Sequence, residues 1–318
     1  MPITTTPMSP YIGLEVHGLD LEQDFDESTR QTLLEAWTHG GILLFRGCRS
    51  AEAHLRLSRC FGKLESSATP ALNVENNPYL MELKYDPENR KEFPAAIMRV
   101  NGAERAGWLG WHWDQSFTPV IVRGAALRMI EPAAIAGETG FIDGIAAWQR
   151  LPVQLRERIE DLEVVYHFSP QMDKNPYGFP PDLVNLKTDP ESMADLRKYN
   201  FPPVVHPLVI VHPETGRKVL KLSPMHAKHV LGMDTTQSDA LLHRLADHLV
   251  DERYAYFHKW SKDDVIVWDN WRVIHSAAGV PLDVRRRAHR TTLLGDYGHG
   301  RYLDPALGRE PRTATIVD

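Results

Sequence analysis

This sequence has few cysteines, no long apolar run and no excess of positive charge. Each of these features argues against a class of protein. The 318 residues include only Cys48 and Cys60, and neither belongs to a C-x-x-C pattern. A disulfide scaffold or a thiolate metal site is therefore not expected. No apolar stretch approaches the roughly 18 residues that a membrane-spanning helix needs. The net charge of -6 provides no strong basic field for nucleic acid.

The remaining composition is that of a globular protein, with 42% hydrophobic and 25% charged residues. The first ten residues, MPITTTPMSP, have neither a charged start nor an apolar segment, so they do not resemble a signal peptide. Together with the low cysteine count, this predicts a cytoplasmic protein. We expect no nucleic-acid or membrane partner.

Short strands and amphipathic helices alternate without a regular pattern. Apolar spacing and capping residues predict helices over 26–39, from Ser50, over 143–162 with Pro152 at a helix start, and over 234–251. Residues 204–222 read as a hairpin that turns at 214–216. Because regular βαβ units are missing, we predict a mainly β fold with helices, either an antiparallel sandwich or a jelly roll decorated by helices.

Two segments rich in proline and polar residues interrupt this pattern, near 66–110 and 169–203. Connections of that length are usually lids, binding loops or disordered segments. No convincing linker divides the chain. We therefore expect residues 1–318 to form a single domain with lid-like insertions near those two segments.

A candidate metal site begins in the stretch GWHWDQSF, where His112 and Asp114 stand two residues apart. In a strand, this spacing directs both side chains to one face. His275, in VWDNWRVIHSAAG, follows a strongly apolar strand and could supply a second imidazole. Two histidines and one carboxylate form the facial triad typical of non-haem Fe(II). The alternative is that these histidines are hydrogen-bonded core residues and that the His-x-Asp spacing arises by chance.

The basic run RRRAHRTTLLGD would direct Arg286 and Arg290 to one face of a strand. A buried guanidinium needs an anionic partner, and a ligand carboxylate is a natural candidate. The alternative is a structural ion pair with one of three acidic residues: Asp143, Asp269 or Asp296.

Taken together, the motifs resemble the taurine dioxygenase and 2,4-dichlorophenoxyacetate dioxygenase (TauD/TfdA) family of Fe(II)/2-oxoglutarate-dependent oxygenases. Each motif is modest alone, but their order along the chain is highly specific. The resemblance runs nearly from end to end and rests on GLEVHGLDL, HGGILLFRG, WHWDQSF, GETGFIDGIAAWQRLP, HPETGRKVL, VWDN followed by IHSA, and RRRAHRTTLLGD.

The resemblance implies a double-stranded β-helix (jelly-roll) core flanked by α-helices, and it implies a role for each matching position. His112, Asp114 and His275 would bind Fe(II), leaving positions for the co-substrate 2-oxoglutarate and for O2. Arg286 would grip the distal carboxylate of 2-oxoglutarate in a bidentate fork. Thr139, in GETG, would contribute its hydroxyl to the same carboxylate.

Four further residues are candidates for the substrate side of the site. Arg290 matches a position that binds an acidic group of the substrate in some relatives, although it could be structural. Phe168 corresponds to a substrate-contacting aromatic residue, with core packing as its alternative. His226 gives a pocket wall that differs from the usual family sequence, and Trp108 stands near the first ligand strand. Since FGKLESSATPALN lacks the histidine that taurine-type relatives carry there, taurine itself is not expected.

The implied activity is oxidation, most simply hydroxylation, of an unactivated C–H bond in a small, acidic organic substrate, with release of succinate and CO2. The same iron chemistry could instead give desaturation, cyclisation or removal of a heteroatom group in secondary metabolism. Two alternatives belong to other classes: a Zn-dependent hydrolase of a small anionic substrate, and a catalytically silent sandwich that binds a small acid. The resemblance also implies a homo-oligomer, either a dimer or a tetramer.

Overall fold

The computed structural model describes residues 3–66, 73–74, 77–89, 96–168, 172–187, 199–308 and 315–316. The helices in these residues are α1 Glu27–Gly40, α2 Ala51–Arg59, α3 Gly144–Arg150, α4 Val153–Ile159 and α5 Thr235–Leu249. Helices α1 and α2 begin where the sequence predicts, because Asp26 and Ser50 each accept a hydrogen bond from a backbone N–H of the first turn. No described helix combines the length and apolar character needed to cross a membrane.

The helical segment predicted over 143–162, with a helix start at Pro152, consists of two helices, α3 and α4. Helix α3 ends at Arg150, and Leu151 has an extended backbone. Pro152 follows, and its ring disfavours the helical conformation for the residue before it. Helix α4 then begins at Val153, so the proline separates two helices.

The described residues contain 23 short strands. The first twelve are β1 Thr4–Pro7, β2 Leu14–His17, β3 Ile42–Phe45, β4 Leu64–Glu65, β5 Met81–Tyr85, β6 Ile97–Val100, β7 Ala103–Ala106, β8 Leu109–His112, β9 Gly124–Glu131, β10 Thr139–Asp143, β11 Glu163–Tyr166 and β12 Val184–Lys187. The others are β13 Tyr199–Asn200, β14 Val204–Pro207, β15 Val209–Val211, β16 Lys218–Leu220, β17 Ala227–Val230, β18 Tyr256–His258, β19 Val265–Asp269, β20 Val273–Ala277, β21 Arg286–Leu293, β22 Arg301–Tyr302 and β23 Thr315–Ile316.

Two sheets packed face to face form the core. The larger has the order β1-β2-β3-β19-β9-β21-β4, with β5 also paired to β21, and only β2 and β3 run parallel within it. The second has the order β18-β10-β20-β8. One apolar layer joins them, since Leu127 and Trp268 of the first sheet pack with Phe141 and Val273 of the second.

Helices cover the outer face of the larger sheet. Alternation along β3 and β19 sends Leu43 and Val267 outward, where they pack against Leu33 of α1 and Leu57 of α2. Their neighbours along each strand point into the layer between the sheets. The predicted mainly β fold, with a jelly-roll core flanked by helices, is confirmed. Strands β15 and β16 also form the predicted hairpin around residues 214–216.

The segments near 66–110 and 169–203 contain more regular structure than their irregular composition predicts. Strand β5 joins the larger sheet by pairing with β21. Strands β6 and β7 form a separate small sheet, and β12 from the second segment pairs with β6 from the first. The two segments therefore contact each other, although parts of both lie outside the described residues. Their lid-like role, and the single-domain assignment, stay predictions.

Candidate active site

Neighbouring strands of the second sheet carry the two histidines of the predicted triad. His112 is the last residue of β8, and it lies directly opposite His275 in the antiparallel pairing of β8 with β20. The centroids of the two rings are 4.3 Å apart. Phe141 and Trp268 pack against the ring of His275, with centroid distances of 6.4 and 4.9 Å, and restrict its orientation.

Asp114 lies in a turn just beyond β8, so the prediction that it shares a strand face with His112 is wrong in detail. The turn nevertheless returns the carboxylate to the imidazoles. Its Oδ1 is 3.9 Å from Nε2 of His112 and 3.7 Å from Nε2 of His275. One ligand atom from each residue lies within 4.8 Å of the others, and all three side chains are buried. Such a group can hold one metal ion and leave further coordination positions open.

Both imidazoles favour the neutral form that binds metals. Burial lowers the pKa of His112 and brings the pKa of His275 well below its ordinary value. Nδ1 of His112 lies 2.7 Å from the carbonyl oxygen of Gly110, so Nδ1–H can donate there and leave Nε2 for a metal. Burial alone would raise the pKa of Asp114, but Arg290 and the two histidines outweigh it and lower that pKa. The carboxylate therefore stays ionised.

Asn270 fixes the backbone of the turn that carries Asp114. Its Oδ1 accepts from the N–H of Asp114 at 2.7 Å, and its Nδ2 donates to the carbonyl of Asp114 at 3.1 Å. The fully buried Lys221 donates in turn to the carbonyl of Asn270, and its Nζ lies 4.4 Å from the ring centroid of Trp113. A continuous set of buried contacts, from Lys221 through Asn270, thus holds the turn that carries the Asp114 carboxylate.

Arg290 forms an ion pair with Asp114. Its Nη2 is 2.6 Å from Oδ2 of the carboxylate, the oxygen that does not face the two imidazoles. The guanidinium also lies over the ring of Trp268, 5.5 Å from its centroid. Nε of Arg290 is buried and has no hydrogen-bond partner among the described residues. Its N–H can donate a hydrogen bond to a further anionic partner.

Thr139 lies near the strand of His275, and Arg286 lies near the turn that precedes Thr139. Thr139 is buried in β10 opposite Ala277, two residues beyond His275 on β20. Nε1 of Trp260 donates to its Oγ1 at 3.0 Å, which leaves the hydroxyl hydrogen for another acceptor. A side chain at Gly137 would lie 3.5 Å from Cδ of Arg286, so this arginine passes the turn just before Thr139.

Arg286 differs from both of its neighbours in having no acidic partner among the described residues. Arg285 pairs with Asp86 and Glu88, and Arg287 pairs with Glu82. Burial lowers the pKa of Arg286 to about 10, which still leaves the guanidinium charged at neutral pH. A positive charge in this position is suited to a ligand carboxylate.

The alternative for Arg286 and Arg290 is a structural ion pair with an acidic residue. The two acidic candidates in the core, Asp143 and Asp269, do not form it. Asp143 pairs with Arg272 at 2.8 Å. Asp269 pairs with Arg123 and with His212. Both carboxylates are therefore occupied by other cations.

The predicted substrate-side residues divide between two apolar clusters. Phe168 and His226 lie together, with ring centroids 6.1 Å apart. Trp108 packs on Phe179, 5.9 Å between centroids, in a cluster that also contains Met225, the neighbour of His226. Phe168 and Trp108 are half-buried, whereas His226 is almost fully buried.

Five residues that contact the site were not predicted from the sequence: Ser116, Phe117, Phe201, Trp260 and Asn270. Asn270 belongs to the motif VWDN, so its position offered a signal. Trp260 contacts Thr139 only because β18 pairs with β10, and no local pattern indicates this pairing. Ser116 and Phe117 follow Asp114 closely but have no spacing that marks a function.

Comparison with known proteins agrees with this geometry. The family described as "Taurine catabolism dioxygenase TauD, TfdA family" matches residues 4–292. An (S)-phenoxypropionate/alpha-ketoglutarate-dioxygenase of Sphingobium herbicidovorans is 27% identical over 291 residues, which are 91% of this chain and 94% of that protein. A pentalenolactone F synthase of Streptomyces arenae is 27% identical over 300 residues, covering 93% of this chain and 96% of that protein.

A solved structure extends the likeness to the whole fold. The crystal structure of a taurine dioxygenase from Burkholderia xenovorans superposes with a TM-score of 0.71 and covers 99% of this chain and 96% of that one. At 24% identity, this likeness is one of fold. The predicted enzyme class and the predicted cofactors, Fe(II), 2-oxoglutarate and O2, are confirmed. The chain belongs to the TauD/TfdA family, and it is an Fe(II)/2-oxoglutarate-dependent dioxygenase.

Proposed function

We propose that this dioxygenase oxidises an unactivated C–H bond of a small, acidic organic substrate, most simply to an alcohol. One arrangement carries the proposal: three ligand atoms lie within 4.8 Å of one another, in a chain whose Arg286 has no acidic partner among the described residues although Arg285 and Arg287 do. Bound Fe(II) and 2-oxoglutarate would supply the oxidising chemistry, in which one atom of O2 enters succinate, CO2 is released, and the other oxygen atom enters the substrate. The chain's own residues bind, orient and exclude water.

His112, Asp114 and His275 are the proposed metal ligands. Their donor set of two nitrogens and one oxygen suits Fe(II), and it occupies only one side of the ion. The buried packing around His275 and the hydrogen bonds of Asn270 to the turn of Asp114 hold the three groups in place before metal binds. This preorganisation supports the assignment.

Arg286 and Thr139 are the proposed clamp for the distal carboxylate of 2-oxoglutarate. The guanidinium can donate two parallel hydrogen bonds, and the hydroxyl of Thr139 is free to donate a third. Trp260 orients that hydroxyl through its hydrogen bond to Oγ1. The clamp would direct the keto acid so that its other end reaches the metal.

Arg290 is the proposed contact for an acidic group of the primary substrate. One end of its guanidinium is occupied by Asp114, but Nε has no partner among the described residues. Phe168, His226 and Trp108 are the proposed wall of the substrate pocket. The half-buried aromatic surface of Phe168 and Trp108 supports this, because it can pack against an apolar part of the substrate.

The insertions near 66–110 and 169–203 are proposed to act as a lid over this pocket within a single domain. The pairing of β12 with β6 supports a common role, because it joins the two insertions. Met98 of β6 packs with Met225, next to His226, so the small sheet adjoins the proposed pocket. Movement of such a sheet would control access of water and substrate.

We also propose that the enzyme is cytoplasmic and homo-oligomeric, as a dimer or tetramer, with no nucleic-acid or membrane partner. Its two cysteines are both free and buried, which fits a reducing compartment. The negative net charge disfavours binding to nucleic acid. Light scattering of the purified protein tests the oligomeric state, and a monomer at micromolar concentration contradicts it.

Two measurements test the proposed function. Anaerobic addition of Fe(II) and 2-oxoglutarate should give a weak visible charge-transfer band, whereas Zn(II) should give none. Succinate release across a panel of small organic acids, with product masses recorded, should then identify substrates that gain one oxygen atom. A product that has lost two hydrogens, or a heteroatom group, would instead indicate desaturation, cyclisation or group removal by the same centre.

A separate variant tests the assignment of His112 as a metal ligand. His112→Ala should abolish both the band and succinate formation while the circular dichroism spectrum stays unchanged. Undiminished turnover in this variant would exclude His112 as a ligand. Hydrolysis of an anionic substrate without O2 or 2-oxoglutarate would favour the Zn-dependent alternative instead.

A further inference from the structure

His226 is buried beside a single hydroxyl group, and its second ring nitrogen has no partner. Nδ1 lies 2.7 Å from Oγ of Ser116. Nε2 is buried without a hydrogen-bond partner among the described residues. Ser116 is fully buried and His226 is 3% exposed. A buried polar atom left unpaired is costly, and it indicates a position where a ligand can bind.

Counting donors and acceptors fixes the tautomer of the imidazole. The only partner that the described residues offer to the Ser116 hydroxyl is Nδ1 of His226. If Nδ1 carried the proton, the hydroxyl hydrogen would lack an acceptor, and Nε2 would lack a donor. If Ser116 donates to Nδ1, only the Nε2 proton remains unpaired, which is the less costly arrangement.

Nε2 therefore presents an N–H donor. Burial, followed by the nearby charge of His112, lowers the pKa of His226 well below its ordinary value, so the neutral ring predominates. A protonated ring would carry a hydrogen on Nε2 as well. The presence of a donor at this atom consequently does not depend on the charge of the ring.

Three phenylalanines form an apolar cluster next to His226, and two of them, Phe117 and Phe168, pack on its ring. Phe117 lies 4.7 Å from Phe201 and 5.0 Å from both Phe168 and His226, measured between ring centroids. All three phenylalanine rings are only half-buried, so part of each remains uncovered by the described residues. Among the described residues, His226 contacts Ser116, Phe117 and Phe168 but neither Thr139 nor Arg286, so the donor is separate from the proposed keto-acid clamp.

The donor also adjoins the metal-binding strand. Ser116 and Phe117 follow Asp114 by two and three residues. The backbone N–H of Met225, next to His226, donates to the carbonyl of Trp111 at 3.3 Å. The aromatic cluster and the donor therefore lie next to the segment that carries His112 and Asp114.

We propose that Ser116 and His226 act as a specificity pair, in which Ser116 holds the imidazole with its proton on Nε2 and this N–H donates to an oxygen atom of the primary substrate. The apolar body of that substrate, an aryl or alicyclic group, packs on Phe117, Phe168 and Phe201. This inference rests on the proposed function and deepens it by naming a substrate class. His226 is a substrate-contacting residue, and Ser116 is a positioning residue that acts through it.

The tautomer provides a test that needs no substrate. In the Zn(II)-loaded protein with 2-oxoglutarate, labelled with 15N-histidine, long-range proton–nitrogen correlation should find the proton of His226 on Nε2. The spectrum of His226→Phe assigns the signal. In Ser116→Ala the preference for Nε2 should weaken. A proton on Nδ1 in the unmodified protein, or a preference that Ser116→Ala leaves unchanged, overturns the proposal.

Binding of named probes tests the substrate class. Phenoxyacetate, 2-phenoxypropionate and cyclohexyloxyacetate are titrated into the anaerobic Fe(II)/2-oxoglutarate complex, and the change in the visible band reports their dissociation constants. Loss of one hydrogen bond in His226→Phe should weaken the best probe by about 3- to 10-fold. His226→Gln, which retains an amide N–H near the same place, should recover most of that affinity.

The outcomes separate this inference from the proposed function. If His226→Phe weakens the probe and His226→Gln restores it, with 2-oxoglutarate affinity unchanged, the specificity pair is supported. Equal losses in both variants, or no loss in either, contradict it even where the band and succinate release persist. Failure of all three probes to bind the unmodified protein overturns the proposed substrate class. Loss of the band in the unmodified protein would contradict the proposed function itself.

Discussion

The guanidinium of Arg290 lies directly against the carboxylate of Asp114, with Nη2 2.6 Å from Oδ2, while Oδ1 faces the two imidazoles. The ion pair gives Arg290 an influence on the metal ligand itself. Its unpartnered Nε leaves room for a second contact, with an acidic group of the substrate. One arginine could therefore connect the charge of the metal centre to the position of the substrate.

Replacing Arg290 should separate these two roles. In Arg290→Lys, an ammonium can keep a charge near Asp114, but it loses the planar fork that reaches two partners. We expect KM for an acidic primary substrate to rise by about 10-fold or more, and KM for 2-oxoglutarate to change much less. Steady-state kinetics with each substrate varied in turn measures this difference. Equal increases in both constants would remove the proposed substrate contact and leave only the ion pair.

Asn270 should contribute to metal affinity without touching the metal. In Asn270→Ala, the buried N–H and carbonyl of Asp114 both lose their partner, so the turn loses its fixed geometry. Loss of such a supporting contact typically lowers metal affinity by about 10- to 100-fold. Titration with Mn(II) measures the change, and denaturant unfolding of the metal-free protein measures the accompanying loss of stability separately.

The matched control is Gln31→Ala, which removes an exposed amide whose hydrogen bond is to Glu35 on the same helix. It should leave both metal affinity and unfolding free energy nearly unchanged. If Asn270→Ala binds Mn(II) as tightly as the unmodified protein, the supporting role of Asn270 is wrong.

The outline of the fold and the triad could be predicted from the sequence because local signals carry them. Capping by Asp26 and Ser50 fixes helix starts, and apolar alternation marks β3 and β19. His112 and His275 stand in strongly apolar strands, where a polar ring is conspicuous. The order of the motifs along the chain then indicated which distant residues meet.

Contacts made only by tertiary packing could not be predicted. Trp260 reaches Thr139 through the pairing of two distant strands, and Arg290 reaches Asp114 from a different sheet. The position of Asp114 in a turn also escaped the alternation rule, because the strand ends at His112. Such details depend on where strands end and on which sheets face each other. The alternation of apolar and polar residues along the sequence does not contain that information.

Arg286 and Arg287 provide a matched pair for the 2-oxoglutarate clamp, since they are consecutive in β21 but have different partners. Arg287 pairs with Glu82 near the surface, whereas Arg286 has no acidic partner among the described residues. Arg286→Ala should raise KM for 2-oxoglutarate by about 30-fold or more, because a partly desolvated carboxylate would lose its charged partner. Arg287→Ala should change this KM by less than about 3-fold, as expected for an exposed ion pair. Similar effects of both substitutions on KM would contradict the clamp.

Lys221 makes the stability of the fold depend on pH in a direction that can be measured. Burial lowers the pKa of Lys221 from 10.5 to about 7 in the folded protein. Below pH 7 the amine is charged in both the folded and the unfolded state, and the folded protein bears the cost of the buried charge. Between pH 7 and 10.5 the folded protein holds a neutral amine while the unfolded chain binds a proton, so the free energy of unfolding contributed by this group rises with pH.

Lys221→Met removes this dependence while keeping a flexible side chain of similar length. The unfolding free energy of the unmodified protein, measured by urea denaturation in metal-free buffer, should therefore rise by a few kcal/mol relative to Lys221→Met between pH 7 and pH 10.5. The control Lys262→Met removes an exposed amine and tests for a general effect of surface charge. A difference between the unmodified protein and Lys221→Met that stays constant over this range would mean that Lys221 keeps its proton when buried, held by Trp113 and the carbonyl of Asn270.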